Sequence, residues 1–291
     1  MKITTVLAGY FMLDGGPMFG VVPKVLWNKL NPADDRNMCI WAMRSILIET
    51  GERKILVDTG IGNKQEEKFR SMFGSHGPSV SESLGDIHIQ PEEITDVFLT
   101  HLHFDHVGGA LSRNEAGQII PTFPNATYWS NEVHYDWAYQ SNPREGASFI
   151  KENFVPLKEQ SKLKMIDVQK DDIDWIDGMS VRFLDGHTTG MMLLKIPILN
   201  STKYLWYGAD LIPSRWHIRR PYIMAYDMQP IKTLEEKERF LTDLVDSQDV
   251  LYFEHDPSLE AATIRTDDRG RFAIHQSGEL TDLLKIIHPP A

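Results

Sequence analysis

The chain has 291 residues, enough for one large domain or two small ones, and its 42% hydrophobic content allows a sizeable core. Its formal net charge of −11 argues against nucleic acid as a partner, because such a surface would repel phosphate. One cysteine, Cys39, excludes an intramolecular disulfide, and no apolar run approaches the roughly 18 residues of a membrane helix. We therefore expect a cytoplasmic protein that binds no membrane. A small basic cluster, Arg215, Arg219 and Arg220, either forms a solvated loop or faces a substrate.

Local patterning predicts the following elements in chain order. A β-hairpin is expected with strands at 45–50 and 54–57, followed by a helix over 64–72 and a loop rich in Gly, Ser and His over 75–90. The segment Pro-Glu-Glu-Ile that begins at Pro91 resembles a helix start. The later elements are strands at 96–99, 126–129, 163–166, 180–184, 191–196, 203–207 and 250–253, a helix over 233–245, and a hairpin around 267–270. Strands interrupted by helices indicate a layered α/β architecture, which we expect as one domain over residues 1–291.

The segment Thr-His-Leu-His-Phe-Asp-His at 100–106 follows the predicted strand at 96–99. It carries four metal-capable side chains, His101, His103, Asp105 and His106. Imidazole nitrogen and carboxylate oxygen suit zinc and its borderline neighbours. One short loop cannot wrap all four around a single ion, so the spacing predicts two metals. Two ions about 3.5 to 4 Å apart can share a hydroxide and polarise a substrate oxygen, which is the chemistry of hydrolysis.

Other metal-capable residues follow apolar strands in the same way. They are Asp58, His187, Asp210 and His255, each beside small or polar neighbours that let the backbone turn. As a set, these residues and the histidine cluster favour metal binding over ordinary hydrogen bonding. The remaining histidines are expected to be ordinary core or surface residues: His76, His88, His134, His217, His275 and His288. His217 is the exception to watch, because it lies a few residues beyond Asp210.

This ordered set resembles the metallo-β-lactamase superfamily in all five of its motifs. The resemblance implies an αββα sandwich of two mixed β-sheets flanked by helices, with metals at one edge between the sheets. It assigns one metal to His101, His103 and His187 and a second to Asp105, His106 and His255. Asp210 bridges both ions together with a hydroxide, while Asp58 orients the histidine loop without binding metal. Zinc is expected, with manganese, iron or cobalt as alternatives.

Two segments point to one branch of that superfamily. Residues 13–24 resemble the entry segment of quorum-quenching lactonases and related organophosphate hydrolases. Residues 208–213 and 224–227 are similar to one branch of N-acyl-homoserine-lactone lactonases. The resemblance implies a lactonase in which Asp105 and Asp210 move the proton. Two alternatives stay open: an esterase or organophosphate hydrolase with the same site, and a non-catalytic metal-dependent protein that binds an apolar ligand.

Substrate contacts follow less directly from the sequence. Met18 and Phe19 belong to an apolar stretch that either lines an acyl channel or packs in the core, and Phe104 has the same two interpretations. A tyrosine that contacts the substrate carbonyl in the best-known lactonases is replaced here by Leu, Ile and Pro at 211–213. The candidates for an equivalent donor are His217, Tyr222 and Tyr226. The expected partner is a small molecule with an ester or lactone bond, and a homodimer stays open.

Overall fold

The computed structural model describes residues 1–287, so His288 lies outside the described residues. The chain divides into two compact units: unit 1 comprises residues 1–11 and 42–169, and unit 2 comprises residues 12–41 and the chain from residue 170 onward. The expectation of a single domain over 1–291 stays a prediction. Across residues 1–287, every helix is too short or too polar to cross a membrane.

The strands, in chain order, are β1 (Lys2–Asp14), β2 (Met38–Thr50), β3 (Arg53–Val57), β4 (Asp96–Phe98), β5 (Leu111–Arg113), β6 (Ile119–Pro121), β7 (Thr127–Ser130), β8 (Leu163–Met165), β9 (Ile173–Asp174), β10 (Ser180–Leu184), β11 (Met191–Pro197), β12 (Tyr204–Tyr207), β13 (Val250–Tyr252), β14 (Ala261–Thr266) and β15 (Phe272–Gly278). The α-helices are α1 (Gly15–Phe19), α2 (Lys24–Trp27), α3 (Glu67–Met72), α4 (Val80–Asp86), α5 (Phe104–Val107), α6 (Glu132–Tyr139), α7 (Val155–Glu159), α8 (Pro230–Ser247) and α9 (Leu280–Ile287). Short 3-10 turns lie at Pro91–Glu93, Gly108–Ala110, Lys151–Asn153, Ala209–Leu211 and Arg215–Ile218.

Unit 1 is built on a six-stranded mixed sheet of order β1-β2-β3-β4-β7-β8, beside the small β5-β6 pair. β2 and β3 form the antiparallel hairpin predicted from the sequence, with Ile46 opposite Val57. β3, β4, β7 and β8 run parallel to one another. The side chains of β4 are buried on both faces, as expected for parallel strands inside a sheet.

Unit 2 is built on a seven-stranded mixed sheet of order β15-β14-β13-β12-β11-β10-β9. Adjacent strands in this sheet are antiparallel except for β12 and β13, which run parallel. Parallel strands need a long connection, and α8 provides it. The apolar face of α8 is buried at Phe240, Leu241 and Leu244, which confirms the helix predicted over 233–245. The predicted hairpin around 267–270 is also confirmed, as the turn between β14 and β15.

Several local predictions differ from the structure. The stretch 75–90 was predicted to be a loop, which is wrong because α4 lies within it. Ser79 caps α4 by accepting from the Glu82 amide, while Glu82 accepts from the Ser79 amide in return. Two apolar side chains, Val80 and Leu84, give α4 a buried face. Several elements were not predicted from the sequence, and the longest of them is β1, a 13-residue strand.

Candidate metal centre

The histidine cluster stands at the carboxyl end of a parallel strand pair in unit 1. Val57 of β3 pairs with Phe98 of β4, so the residues after both strands leave the sheet at the same edge. The cluster residues there are all buried: His101, His103, Asp105 and His106. The ring centroids of His101 and His106 are 3.8 Å apart, and those of His101 and His103 are 4.5 Å apart. Such close buried rings would repel one another if protonated, so the arrangement favours neutral imidazoles that bind metal.

Asp58, directly after β3, contacts the ring of His106 and reaches the ring of His101 through Thr100. Its Oδ2 accepts from His106 Nδ1 at 3.0 Å and from Thr100 Oγ1 at 2.6 Å, and its Oδ1 accepts from the Thr100 amide at 2.8 Å. With its proton directed at Asp58, Thr100 Oγ1 can accept from His101 Nδ1 at 3.0 Å. Both histidines therefore carry the proton on Nδ1, which makes Nε2 the candidate metal-binding nitrogen of each ring.

His103 is held through its Nε2 atom, whereas His101 and His106 are held through Nδ1. Its Nε2 lies 3.0 Å from Glu145 Oε1, and the second oxygen of Glu145 accepts from Trp137 Nε1 at 2.7 Å. This contact makes Nδ1 the candidate metal-binding nitrogen of His103. The amide of Leu102 donates to His134 Nε2 at 2.8 Å, so His134 buttresses the loop backbone as a hydrogen-bonded core residue.

Two glycines let the end of the cluster pack tightly against the turn after β3. A Cβ on Gly108 would lie 2.2 Å from the Ile61 carbonyl oxygen, and one on Gly109 would lie 2.2 Å from that of Thr59. Any larger residue at either position would push the two backbones apart. The amide of Thr59 donates to the His106 carbonyl at 2.7 Å across the same contact.

Unit 2 brings together the other three donors in the same way. β10, β12 and β13 point in one direction, so the residues that follow them leave the sheet at one edge. Asp210 Oδ2 lies 3.1 Å from His187 Nε2, and its Oδ1 lies 3.0 Å from His255 Nε2. Both carboxylate oxygens thus face imidazole nitrogens in a buried setting. Ala209, just before Asp210, has φ of 38°, a left-handed conformation that costs a non-glycine residue about 1 to 3 kcal/mol.

His187 is fixed by two acids that sequence analysis did not assign to the site. Asp227 Oδ1 lies 2.8 Å from His187 Nδ1, which makes Nε2 the candidate metal-binding nitrogen. Burial raises the pKa of Asp227, and the hydrogen bond from His187 opposes that shift. Glu236 of α8 accepts from the amides of Asp185 and Gly186, both at 2.9 Å, and holds the turn before His187.

Most of the predicted substrate residues of unit 2 lie in an aromatic cluster. Phe19 is 0% exposed and stacks on Trp27 and His217 at 5.3 and 5.4 Å between centroids. Tyr222 packs edge-on against Phe19 at 6.1 Å. Met18 is equally buried, and its carbonyl accepts from His217 Nε2 at 2.8 Å. This is the packing that the core interpretation predicts, and the acyl-channel interpretation stays a prediction.

The remaining candidates differ in their surroundings. His217 Nδ1 lies 2.7 Å from Ser214 Oγ, so both ring nitrogens are occupied, and burial lowers its pKa to about 4. His217 is therefore neutral and bound to the backbone. Tyr226 is half-buried and directly precedes Asp227. In unit 1, Phe104 packs against Phe73 and Phe69, with centroids 4.6 and 5.3 Å away.

The donor chemistry of both sets suits divalent metal ions. Unit 1 contributes three imidazoles and one carboxylate, and unit 2 contributes two imidazoles and one carboxylate. Within unit 1, the ligand atoms of His101 and His103 lie within 4.8 Å of each other, as do those of Asp105 and His106. Carboxylate or hydroxyl partners orient four of the rings, as is usual for metal-bound histidine. Seven donors exceed what one tetrahedral ion uses and are consistent with two ions.

Comparisons with known proteins agree with this chemistry. The family model of the metallo-β-lactamase superfamily matches residues 44–140. An N-acyl homoserine lactonase of Bacillus cereus is 28% identical over 206 residues, which cover 67% of this chain and 70% of the relative. A probable metal-dependent hydrolase from Staphylococcus aureus has a TM-score of 0.82 at 27% identity, covering 94% of this chain and 97% of the other. AidC, a dizinc quorum-quenching lactonase with bound product, has a TM-score of 0.76 at 20% identity, covering 96% and 95%.

The chain matches the metallo-β-lactamase superfamily model over residues 44–140, and its predicted fold of two mixed sheets with flanking helices is confirmed. It is a metal-dependent hydrolase of that fold with a histidine-rich site, distantly similar to N-acyl homoserine lactonases.

Proposed function

We propose that the protein is a lactonase that opens N-acyl-homoserine lactones or related apolar lactones. The observation that carries this proposal is the placement of seven nitrogen and oxygen donors at strand ends in a chain similar to a lactonase over 206 residues. The dizinc lactonase AidC, which has the same fold, binds its product, N-hexanoyl-L-homoserine. We infer the specificity for lactones from the similarity to these relatives.

We assign the donors to two ions, with Asp210 shared between them. His101, His103 and His187 hold the first ion, and Asp105, His106 and His255 hold the second. When bound, such a pair of ions supplies an activated water and polarises a carbonyl oxygen. The metal-binding nitrogens inferred above from Asp58, Thr100, Glu145 and Asp227 fit this assignment, since each leaves a defined ring nitrogen for metal.

The carboxylates of the site handle the proton of the reaction. Opening a lactone adds water to the carbonyl carbon and breaks the bond to the ring oxygen, which leaves as an alcohol. Asp105 and Asp210 are the carboxylates beside the histidines, and we assign them the proton that water loses and the ring oxygen gains. Serine and cysteine nucleophiles have no role in this scheme.

The test is a substrate panel on metal-loaded protein: an N-acyl-homoserine lactone, an aryl ester and a phosphotriester. We expect the lactone to give the highest kcat/KM, and we expect activity to be lost on chelation and restored by metal. Asp210→Asn is the matched control for background hydrolysis. A higher kcat/KM for the phosphotriester or the aryl ester would replace the lactonase assignment with the corresponding alternative. Metal-dependent lactone binding without turnover would favour the non-catalytic binding protein.

A further inference from the structure

A cavity of about 710 Å³ lies in unit 2. Residues from the 3-10 turn Arg215–Ile218, the segment after it and β15 line the cavity. Among residues 1–287, those lining the cavity include none of the seven metal-capable donors. Its volume is in the range that drug-sized small molecules occupy in proteins.

The rim of this cavity carries one positive charge in excess. Four arginines line it: Arg215, Arg219, Arg220 and Arg271. Three of them have carboxylate partners, namely Asp256 for Arg215, Glu238 for Arg220 and Asp267 for Arg271. Arg219 is exposed and donates only to the Tyr222 hydroxyl at 3.3 Å, and within the described chain no carboxylate pairs with it. Four guanidinium groups and three carboxylates leave a net charge of +1, and Arg219 carries it.

The floor of the cavity is apolar. Trp216, Ile218, Phe272 and Ile274 contribute side chains, and Phe272 and Ile218 are buried. The guanidinium of Arg220 lies 4.5 Å from the centroid of Phe272, so the charged rim and the aromatic floor meet. A ligand with an anionic head and an apolar body matches both features at once.

We propose that this cavity binds an amphiphilic monoanion, an alkyl carboxylate whose head pairs with Arg219 and whose chain lies on Trp216 and Phe272. The single surplus charge argues against a nucleotide or other polyanion, which would need several unpaired cations. Free fatty acids and ring-opened acyl lactones both have this chemistry. The proposal does not depend on lactone turnover, because it concerns a different set of residues.

The test is calorimetric titration of metal-loaded protein with decanoate. Acetate has the same head without the chain, and decyltrimethylammonium has a similar chain with the opposite charge. We expect decanoate to bind at least 10-fold more tightly than either. Titration with N-octanoyl-L-homoserine then shows which source of carboxylate the cavity prefers.

Two variants locate the binding. Arg219→Gln removes the surplus charge from an exposed side chain, and we expect at least 10-fold weaker binding of decanoate. Arg70→Gln in α3 removes an exposed arginine elsewhere and should change nothing. Ala273→Trp fills the cavity and should abolish binding while metal content and melting temperature stay unchanged. The proposal is overturned if decanoate binds both cavity variants as tightly as it binds wild type. It is also overturned if decyltrimethylammonium, or ADP as a representative polyanion, binds wild type as tightly as decanoate does.

Discussion

Asp58 and Asp210 are both buried carboxylates beside histidines, yet their neighbours give them different roles. Asp58 contacts the Nδ1 side of His106, whereas Asp210 faces the Nε2 atoms of His187 and His255. We therefore assign Asp58, which lies behind a ring, the role of tuning a ligand, and Asp210, which faces two rings, the role of a ligand.

We therefore predict different losses for Asp210→Ala and Asp58→Asn. Asp210→Ala should abolish most activity and release the metals as a unit. Asp58→Asn keeps the side-chain shape and should lower metal affinity or activity by about 10- to 100-fold. Elemental analysis and kcat/KM measure both effects. A protein that loses all metal with Asp58→Asn but retains two ions with Asp210→Ala would invert the two roles.

Tyr226 is our candidate for the hydroxyl that contacts the substrate carbonyl, because it directly precedes Asp227, the carboxylate that holds His187. The Tyr222 hydroxyl accepts from Arg219, and His217 is bonded to the Met18 backbone. We predict that Tyr226→Phe lowers kcat/KM by up to about 10-fold, because a net hydrogen bond contributes about 0.5 to 1.5 kcal/mol. Tyr222→Phe is the matched control and should have no effect. Equal effects of the two variants would remove Tyr226 from the substrate site.

At the scale of elements, α1 and the turn Arg215–Ile218 meet in the aromatic cluster around Phe19. Phe19→Ala should lower the free energy of unfolding by about 3 to 5 kcal/mol, the usual loss for a buried phenylalanine. Urea denaturation measures this. The acyl-channel proposal further predicts that kcat/KM falls more for long-chain than for short-chain lactones. An unchanged ratio in a destabilised protein would leave Phe19 with a packing role alone.

Helix α8 carries a buried lysine, Lys237, which contacts the segment that precedes Asp227 in the chain. Lys237 is 1% exposed, and its Nζ donates to the carbonyls of Arg219 and Tyr222 at 2.8 and 2.7 Å. Burial lowers the pKa of Lys237 to about 7. The unfolded chain therefore binds more protons than the folded chain between about pH 7 and the ordinary lysine pKa of 10.5. The contribution of Lys237 to stability rises with pH through that window.

We predict that Lys237→Met flattens part of this rise in the free energy of unfolding between pH 7 and 10. It should also destabilise the protein by about 1 to 3 kcal/mol, since one buried and one partly buried carbonyl lose their donor. Urea denaturation at several pH values measures both effects. Lys64 also has a pKa lowered by burial to about 7, so some of the rise should remain. Lys68→Met, at an exposed position, is the control; an identical pH slope in wild type and Lys237→Met would contradict the expectation.

The metal donors could be predicted from sequence because each follows a short apolar strand and precedes a turn. Apart from Asp58, their supporting residues could not be predicted in the same way. Glu145 lies 42 residues from His103, and Asp227 lies 40 residues from His187, so their contacts exist only after folding. The role of Phe19 was ambiguous for a related reason: an apolar stripe looks the same whether it faces a ligand or other aromatic rings.

At the scale of the whole molecule, we expect the seven donors to couple metal binding to folding. Four lie in unit 1 and three in unit 2, in segments far apart in the chain, so the unfolded protein presents no assembled set. A metal that binds only the folded chain stabilises it by an amount that grows with the ratio of free metal to Kd, about 2.7 kcal/mol at a 100-fold excess over Kd.

We predict about two metal ions per chain in fully loaded protein and a lower melting temperature after chelation. Elemental analysis gives the stoichiometry, and thermal unfolding with and without chelator gives the shift. Asp210→Asn is the control: because it weakens both proposed ions, chelation should shift its melting temperature less than that of wild type. One ion per chain, even after reconstitution with excess metal, would count against the two-ion assignment. An unchanged melting temperature after complete metal removal would show that the donors are held in place by the protein alone, and that metal binding is not coupled to folding.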